Sequence, residues 1–268
     1  MRSPADVIDG WAHGVSGSVV HSDRVVHVEH VWNTAISITI ARSRGREDGA
    51  LAAIDWCSQF FARVDATFST YRPETEASFF RNGLTWRAGP SADFAAVLEA
   101  CADLRDRTHG AFDPWAVPGG FDPSGYVKGW AAQRASDELA RLGFDSHLGA
   151  VGDDVAGSGS GWSVGNLSPH DGQEVVEVVA LRDSAMATSG RYERGDHVTD
   201  PRTGSPAVGV DSATVVGPDA GAADALASAA MVDGRGSMAW FSSLGPAWSL
   251  HLVIGDSAFT HGPAFDLR

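Results

Sequence analysis

Cysteine and lysine are almost absent from this chain. Two cysteines, Cys57 and Cys101, among 268 residues cannot build a disulfide framework or a cysteine-based zinc centre. They read as small buried thiols of a reducing compartment. Basic side chains are outnumbered 34 to 20, and the formal charge of −14 excludes the basic face that a nucleic-acid binder needs. No apolar run approaches the ~20 residues that cross a bilayer. The first residues, MRSPADVIDGWAHGVSGSVV, lack the basic stretch and apolar core of a secretory signal, and no cysteine there offers a lipid anchor. The expectation is a cytoplasmic protein with neither a nucleic-acid partner nor a membrane span. Neither the GxSxG elbow nor the HExxH helix occurs, so serine hydrolases and zincins have no support.

What is present is a core. Hydrophobic residues make up 43% of the chain, with nine Trp and twelve Phe, enough for a globular fold. Residues 25–41 alternate apolar and polar, as a strand or hairpin does. Helical spacing runs over 47–66. A polar connector ends at the Asn82-Gly83 turn, and Ser91 is placed to cap a helix to Thr108. Residues 110–127 are rich in Pro and Gly and read as irregular, before a helix from Lys128 to Leu142. AGSGSG at 156–161 reads as a turn between short strands, followed by strands at 162–166 and 174–182. A long polar stretch, 187–206, precedes a strand at 210–217 and an Ala-rich helix from Asp219 to Val232. A last strand, 248–254, leads into a short tail. Strands and helices mix without regular βαβ alternation, so the fold class is α+β.

Three polar segments carry candidate chemistry. In ADALASAAM (223–231), Asp224 and Ser228 stand four apart, on one helix face. An oxygen-only pair suits a hard cation such as Mg²⁺, which completes its shell with water and phosphate oxygens; an ordinary solvated helix face is the plain alternative. In FDPSGYVKGWA (121–131), Lys128 lies between Gly125 and Gly129. It is the only lysine among 20 basic residues, and Arg does not replace lysine where geometry is tight. Glycines, a helix start and an ammonium group together make an anion site, although the nucleotide P-loop spacing is not met. In the stretch 187–206, Thr188, Ser189 and Gly190 read as a turn, ahead of His197, Val198 and a tight turn at Pro201–Gly204. His197 fits a general base by its pKa near neutrality, and a structural histidine equally well.

In this order the segments resemble the ApbE family, the FAD:protein FMN transferases. The matching motifs are Phe68-Ser69-Thr70-Tyr71 through Asn82, Gly110-Ala111-Phe112-Asp113-Pro114, Asp122 to Gly129, Ala187 to Tyr192, His197 to Gly204, and Ala223 to Ala230. Each is weak alone; the ordered set is specific, and the lone Lys128 falls on the family's lysine. The resemblance covers about residues 25–255. It implies a flexible segment at 1–24 and a single domain over 25–268, with mixed and antiparallel sheets packed with helices and the flavin in a cleft between two subregions.

The activity it implies is attack by a Thr or Ser hydroxyl of an acceptor flavoprotein on the FMN-side phosphate of FAD, giving a phosphoester and AMP. It implies a Mg²⁺ site at Asp224, Ser228 and the Gly125 carbonyl. It implies FAD contacts at Trp32, Tyr71, Phe112, Asp113, Asp122, Lys128, Thr188, Ser189, His197, Val198 and Ala227. His197, Lys128 and Asp224 are its catalytic candidates. FAD hydrolysis to FMN and AMP, or flavin binding without catalysis, are the alternatives. The sequence also departs from the family pattern. Ser228 replaces a threonine, and Ala150-Val151-Gly152-Asp153-Asp154 replaces an Asn-x-Gly-Gly-Asp turn. Gln133 and Arg191 stand where acidic residues are usual, and the link from Asp113 to Asp122 is short.

Overall fold

The alternating stretch near the N-terminus folds as a hairpin, β2 (Arg24–Val31) and β3 (Thr34–Ala41), paired antiparallel in continuous register. Trp32 and Asn33 close it, both in the left-handed region at φ 57° and 59°, as a two-residue hairpin turn requires. The computed structural model describes residues 16–84, 86, 89–117, 119–171, 174–191 and 198–265. A short strand, β1 (Gly17–Val20), pairs along the outer edge of β2. Gly17–Val20 thus form a paired strand inside the segment expected to be flexible.

The hairpin lies at one end of a nine-stranded antiparallel sheet. Its other members are β4 (His147–Val151), β5 (Asp154–Ser158), β8 (Ser184–Gly190), β11 (Ser212–Gly217), β12 (Ser249–Ile254) and β13 (Ser257–His261), in the order β1-β2-β3-β4-β5-β8-β11-β12-β13. Two short strands, β9 (Thr199–Asp200) and β10 (Ser205–Pro206), pair with each other apart from it. Alternation along the strands of the large sheet feeds two cores. Ala185, Ala187, Ala213, Val215 and Leu250 point into the main one. Met186 and Val216 point to the other face, where Val179, Leu181 and Phe265 meet them. The hairpin of β6 (Trp162–Leu167) and β7 (Val175–Leu181) covers that second face.

Helices fill the main core: α1 (Glu47–Phe68), α2 (Glu76–Arg81), α3 (Ala92–Arg107), α4 (Ser124–Arg141), α5 (Ala220–Asp233) and α6 (Ser237–Phe241). Ser91 caps α3 as expected, its hydroxyl accepting from the Phe94 N–H at 3.2 Å. Helix α5 is apolar nearly all round, as a buried helix must be, and lies between α4 and strands β8 and β11. Small residues permit the close approach. A Cβ on Gly129 of α4 would collide with the Ala220 carbonyl of α5. Gly129→Ala is therefore expected to cost about 1–3 kcal/mol through overpacking, read as a lower urea midpoint at unchanged slope.

Both cysteines are buried and free, in accord with the sequence reading, and burial pushes the Cys57 thiol up to about 12. A buried histidine pins α4 to β4. His147 Nδ1–H donates to the Phe144 carbonyl at 2.6 Å, and Nε2 accepts from the Ser136 hydroxyl at 2.7 Å. Burial holds its pKa below the ordinary value, against the Phe144 hydrogen bond. Between the lowered and ordinary values the unfolded chain binds a proton that the native state refuses. Stability is present above about pH 6.5 and is lost as pH falls. The urea midpoint is expected to drop from about pH 7.5 to about 5.5, and less steeply in His147→Gln.

Four expectations need correction. Thr188 and Ser189 lie on β8, not in a turn. Ala156–Ser158 belong to β5, so the AGSGSG turn starts only at Gly159. Helix α4 begins at Ser124, a turn before Lys128, with a non-helical break at Gly125 (φ −81°, ψ 15°). The C-terminal tail contains β13. The α+β class and its antiparallel sheet stand. Among the described residues no helix is long and apolar enough to cross a membrane.

Candidate active site

At one end of the sheet the β2–β3 turn, the β4–β5 turn and β8 meet α5, the end of α1 and the Pro/Gly-rich segment before α4. Between them lies a cavity of about 540 Å³, within the range of small-molecule sites. Lys128, on the second turn of α4, reaches Asp154 Oδ2 at 2.6 Å and Asp224 Oδ2 at 3.2 Å. Asp154 opens β5, and Asp224 lies on α5. Their side chains are 1% and 4% exposed, while Lys128 keeps 30% open to the cavity.

Burial and the neighbouring Asp224 charge push the Asp154 carboxyl well above the usual range, against the pull of Lys128. Burial also opposes the Lys128 charge, but the two carboxylates outweigh it and hold the ammonium above its ordinary value. With both carboxyls ionised, two carboxylates facing one ammonium carry one excess negative charge in a buried place, and a bound cation would favour that form over a protonated Asp154. Such a site attracts a cation.

Its oxygen neighbours suit a hard one. Ser228, a turn beyond Asp224, has its hydroxyl 3.2 Å from that of Ser189 on β8. The Gly125 break lies against it, since a Cβ there would stand 3.4 Å from Ser228 Oγ. Among the described residues no group of three or more His, Cys, Asp or Glu could hold a metal. The Asp224 carboxylate and the Ser228 hydroxyl are oxygen donors of the kind Mg²⁺ uses when water and phosphates complete its shell, and in that chemistry they fit the ion.

The expected flavin contacts mostly converge here. Trp32, Tyr71, Phe112, Asp113, Asp122, Lys128, Thr188, Ser189 and Val198 all line the cavity. Trp32 holds a left-handed backbone, costly for a bulky residue, and packs edge-on against Phe61 at 5.9 Å. Its buried Nε1 has no hydrogen-bond partner among the described residues, so a ligand acceptor would satisfy it. Tyr71 stands 96% exposed at the rim. Asp113 and Asp122 brace the irregular segment, accepting from the N–H of Trp115 and Ser124 at 2.9 and 3.0 Å.

One described candidate does not join this set. Ala227 is fully buried in the main core, beside Ser228 in sequence but on a different helix face. His197 lies outside the described residues. The sequence reading also missed Asp154 as a site residue. The available signal was the lone lysine, which needs a buried anion to justify its place. Beyond the cavity wall, Arg202 pairs with Asp200 at 3.0 Å and Asp233 at 2.8 Å. That clasp ties the segment carrying Val198 and Pro201 to the end of α5.

A model of the ApbE family matches residues 32–119 and 116–247. The FAD:protein FMN transferase of Treponema pallidum (strain Nichols) is 34% identical over 137 residues, 42% of this chain and 38% of that protein. The protein of the same name from Vibrio cholerae serotype O1 is 31% identical over 129 residues, 42% and 39% of the two chains. These matches thus span well under half the length of either relative. The flavin transferase ApbE structure from Vibrio cholerae superposes with a TM-score of 0.74 at 20% identity, over 94% of this chain and 99% of that one. The ApbE protein of Thermotoga maritima gives 0.77 at 20% identity, over 94% and 99%. At that identity the likeness establishes the fold.

Proposed function

The chain belongs to the ApbE family, and we propose that it transfers the FMN half of FAD to a Thr or Ser hydroxyl of an acceptor flavoprotein. The acceptor oxygen bonds to the FMN-side phosphorus, the bond from that phosphorus to the bridging oxygen breaks, and AMP departs with that oxygen. The hydroxyl proton passes to a base, for which His197 is our candidate. The observation that carries this reading is the Lys128–Asp154–Asp224 cluster, with Lys128 and Asp224 on the cavity wall beside hydroxyls and no Arg among the described lining residues.

Each wall residue then has a task. Lys128 offers its one remaining N–H to a phosphate oxygen while two carboxylates fix its position. Ser189 and Ser228 present hydroxyls along the same wall. Trp32 offers its unpartnered N–H and its ring, and Tyr71 and Phe112 supply apolar faces for a flat ring system. Asp224, Ser228 and the Gly125 carbonyl would hold Mg²⁺. When bound, that ion neutralises pyrophosphate charge and steadies the charge that builds up during transfer. The two buried free cysteines support a cytoplasmic setting.

Incubation with FAD, Mg²⁺ and an acceptor bearing a Thr or Ser flavinylation site tests the proposal. Transfer gives the acceptor the mass of FMN as a phosphoester and releases one AMP per adduct. AMP without adduct makes the protein a pyrophosphatase. Neither product makes it a flavin-binding protein and refutes the catalytic reading.

A further inference from the structure

A line of hydrogen-bonded polar groups leaves the cavity and enters the sheet where nothing in the transfer reaction calls for one. It starts at Thr188 on β8, which lines the cavity. The Thr188 and Thr214 hydroxyls are 3.0 Å apart, and the two residues are register partners across β8 and β11. Thr214 is fully buried, and its hydroxyl donates to Asn166 Oδ1 of β6 at 3.1 Å. Asn166, 2% exposed, turns its amide nitrogen to His251 Nδ1 at 3.0 Å. His251 is in turn the register partner of Thr214 on β12. The row crosses a layer otherwise built of Met186, Val216, Val179, Leu181 and Phe265.

The bonds have a direction. An amide N–H can only donate, so His251 Nδ1 accepts and the imidazole proton sits on Nε2. The Thr214 proton is committed to Asn166 Oδ1, so Thr214 can take part with Thr188 only as acceptor. The Thr188 proton therefore points inward along the row, and its hydroxyl has only lone pairs left for a ligand in the cavity that Thr188 lines. We propose that Thr188 is a one-way hydrogen-bond acceptor for the substrate, and that Thr214, Asn166 and His251 are the positioning residues that hold it so. The inference rests on the flavin reading of the cavity. On that reading Thr188 meets a donor of FAD, a ring N–H, a ribityl hydroxyl or the adenine amine. It does not meet the pyrophosphate, which carries acceptors alone at neutral pH. A fixed lone pair also discriminates, because a site that holds only an acceptor rejects a ligand that brings another.

Two measurements on the full chain test this. The first needs no variant and no flavin: long-range ¹H–¹⁵N correlation of the histidine rings is expected to show His251 neutral, protonated on Nε2 and bare at Nδ1. An Nδ1–H tautomer reverses the row and overturns the proposal. The second is a double-mutant cycle on FAD affinity, followed by flavin fluorescence. Thr188→Val and Thr214→Val are each expected to weaken binding about three- to tenfold, the worth of one hydrogen bond. The double variant is expected to be no worse than Thr188→Val, and Thr188→Ser is expected to bind as wild type. A merely structural Thr214 gives additive losses or none, and either result overturns the positioning role. Failure of the wild type to bind FAD refutes the flavin reading and the ligand named here. An inverted tautomer in a protein that binds FAD normally refutes the row alone.

Discussion

Asp224→Asn is expected to lower FAD-dependent AMP release by about 10²–10³-fold, the scale of losing a preorganised charge in a closed site, with little change in melting temperature. The two halves of that expectation come from the same count. In the wild type two buried carboxylates share one ammonium, and the surplus charge is negative. Asparagine keeps the size and one acceptor oxygen for Lys128 Nζ, now 3.2 Å from Asp224 Oδ2. The Lys128–Asp154 pair at 2.6 Å survives, so the fold keeps its internal compensation. What disappears is the negative surplus that would draw a divalent cation into the cavity. Ser228→Ala removes only a neutral oxygen that water can replace, and its loss should stay below about tenfold. Ser228→Thr should be near neutral. The measurement is AMP release across a Mg²⁺ titration, with thermal melts of the same samples. Wild-type metal dependence in Asp224→Asn would put the cation elsewhere.

The contrast between these positions shows what could be read from the chain before its fold. The Asp224/Ser228 face is a matter of helical period, and the helix formed within a residue of its expected ends. The Ser91 cap and the 24–41 hairpin are equally local. The same period also sets Ala227 apart from the cavity. One residue from Ser228 is about 100° round the helix, which carries Ala227 into the core while Ser228 faces the cavity. Thr188-Ser189-Gly190 and Ala156-Gly157-Ser158 looked like turns because small polar residues and glycine favour turns locally. In the folded chain they lie on neighbouring strands, and β8 is paired on both sides. Its small residues accommodate α5 and leave room for the Ser189–Ser228 contact, a requirement set by tertiary packing. Asp154 is 26 residues from Lys128, and Asp224 is 96. Only the strand register and the α4–α5 packing bring the three together.

Lys128→Met should destabilise the protein by about 3–5 kcal/mol near pH 8, the range for stripping the partner from buried charge. For a domain of this size that is about 6–20 °C in melting temperature. Methionine preserves the length of the stem and removes the ammonium. Asp154 and Asp224, 1% and 4% exposed, are then left facing each other with no counter-charge. The loss has a limit, because one carboxyl can take up a proton instead. Asp154 is the one to do so: burial and the Asp224 charge already hold it well above the usual range with Lys128 in place. A carboxyl whose folded pKa exceeds its unfolded value near 4 contributes stability that is complete below that value and drains away as pH rises. The gap between Lys128→Met and wild type should therefore be wide at about pH 8 and narrow towards about pH 5. Lys128→Arg should recover only part of it, because a planar fork does not reproduce a compact ammonium that reaches two carboxylates at once. Near pH 8, where Asp154 is least able to keep that proton, added Mg²⁺ should raise the melting temperature of Lys128→Met more than that of wild type, since the ion then takes the place of the missing ammonium between two carboxylates. A melting temperature that is the same at both pH values, and indifferent to Mg²⁺, would mean that Lys128 is a surface cation and that the two aspartates are compensated by other groups.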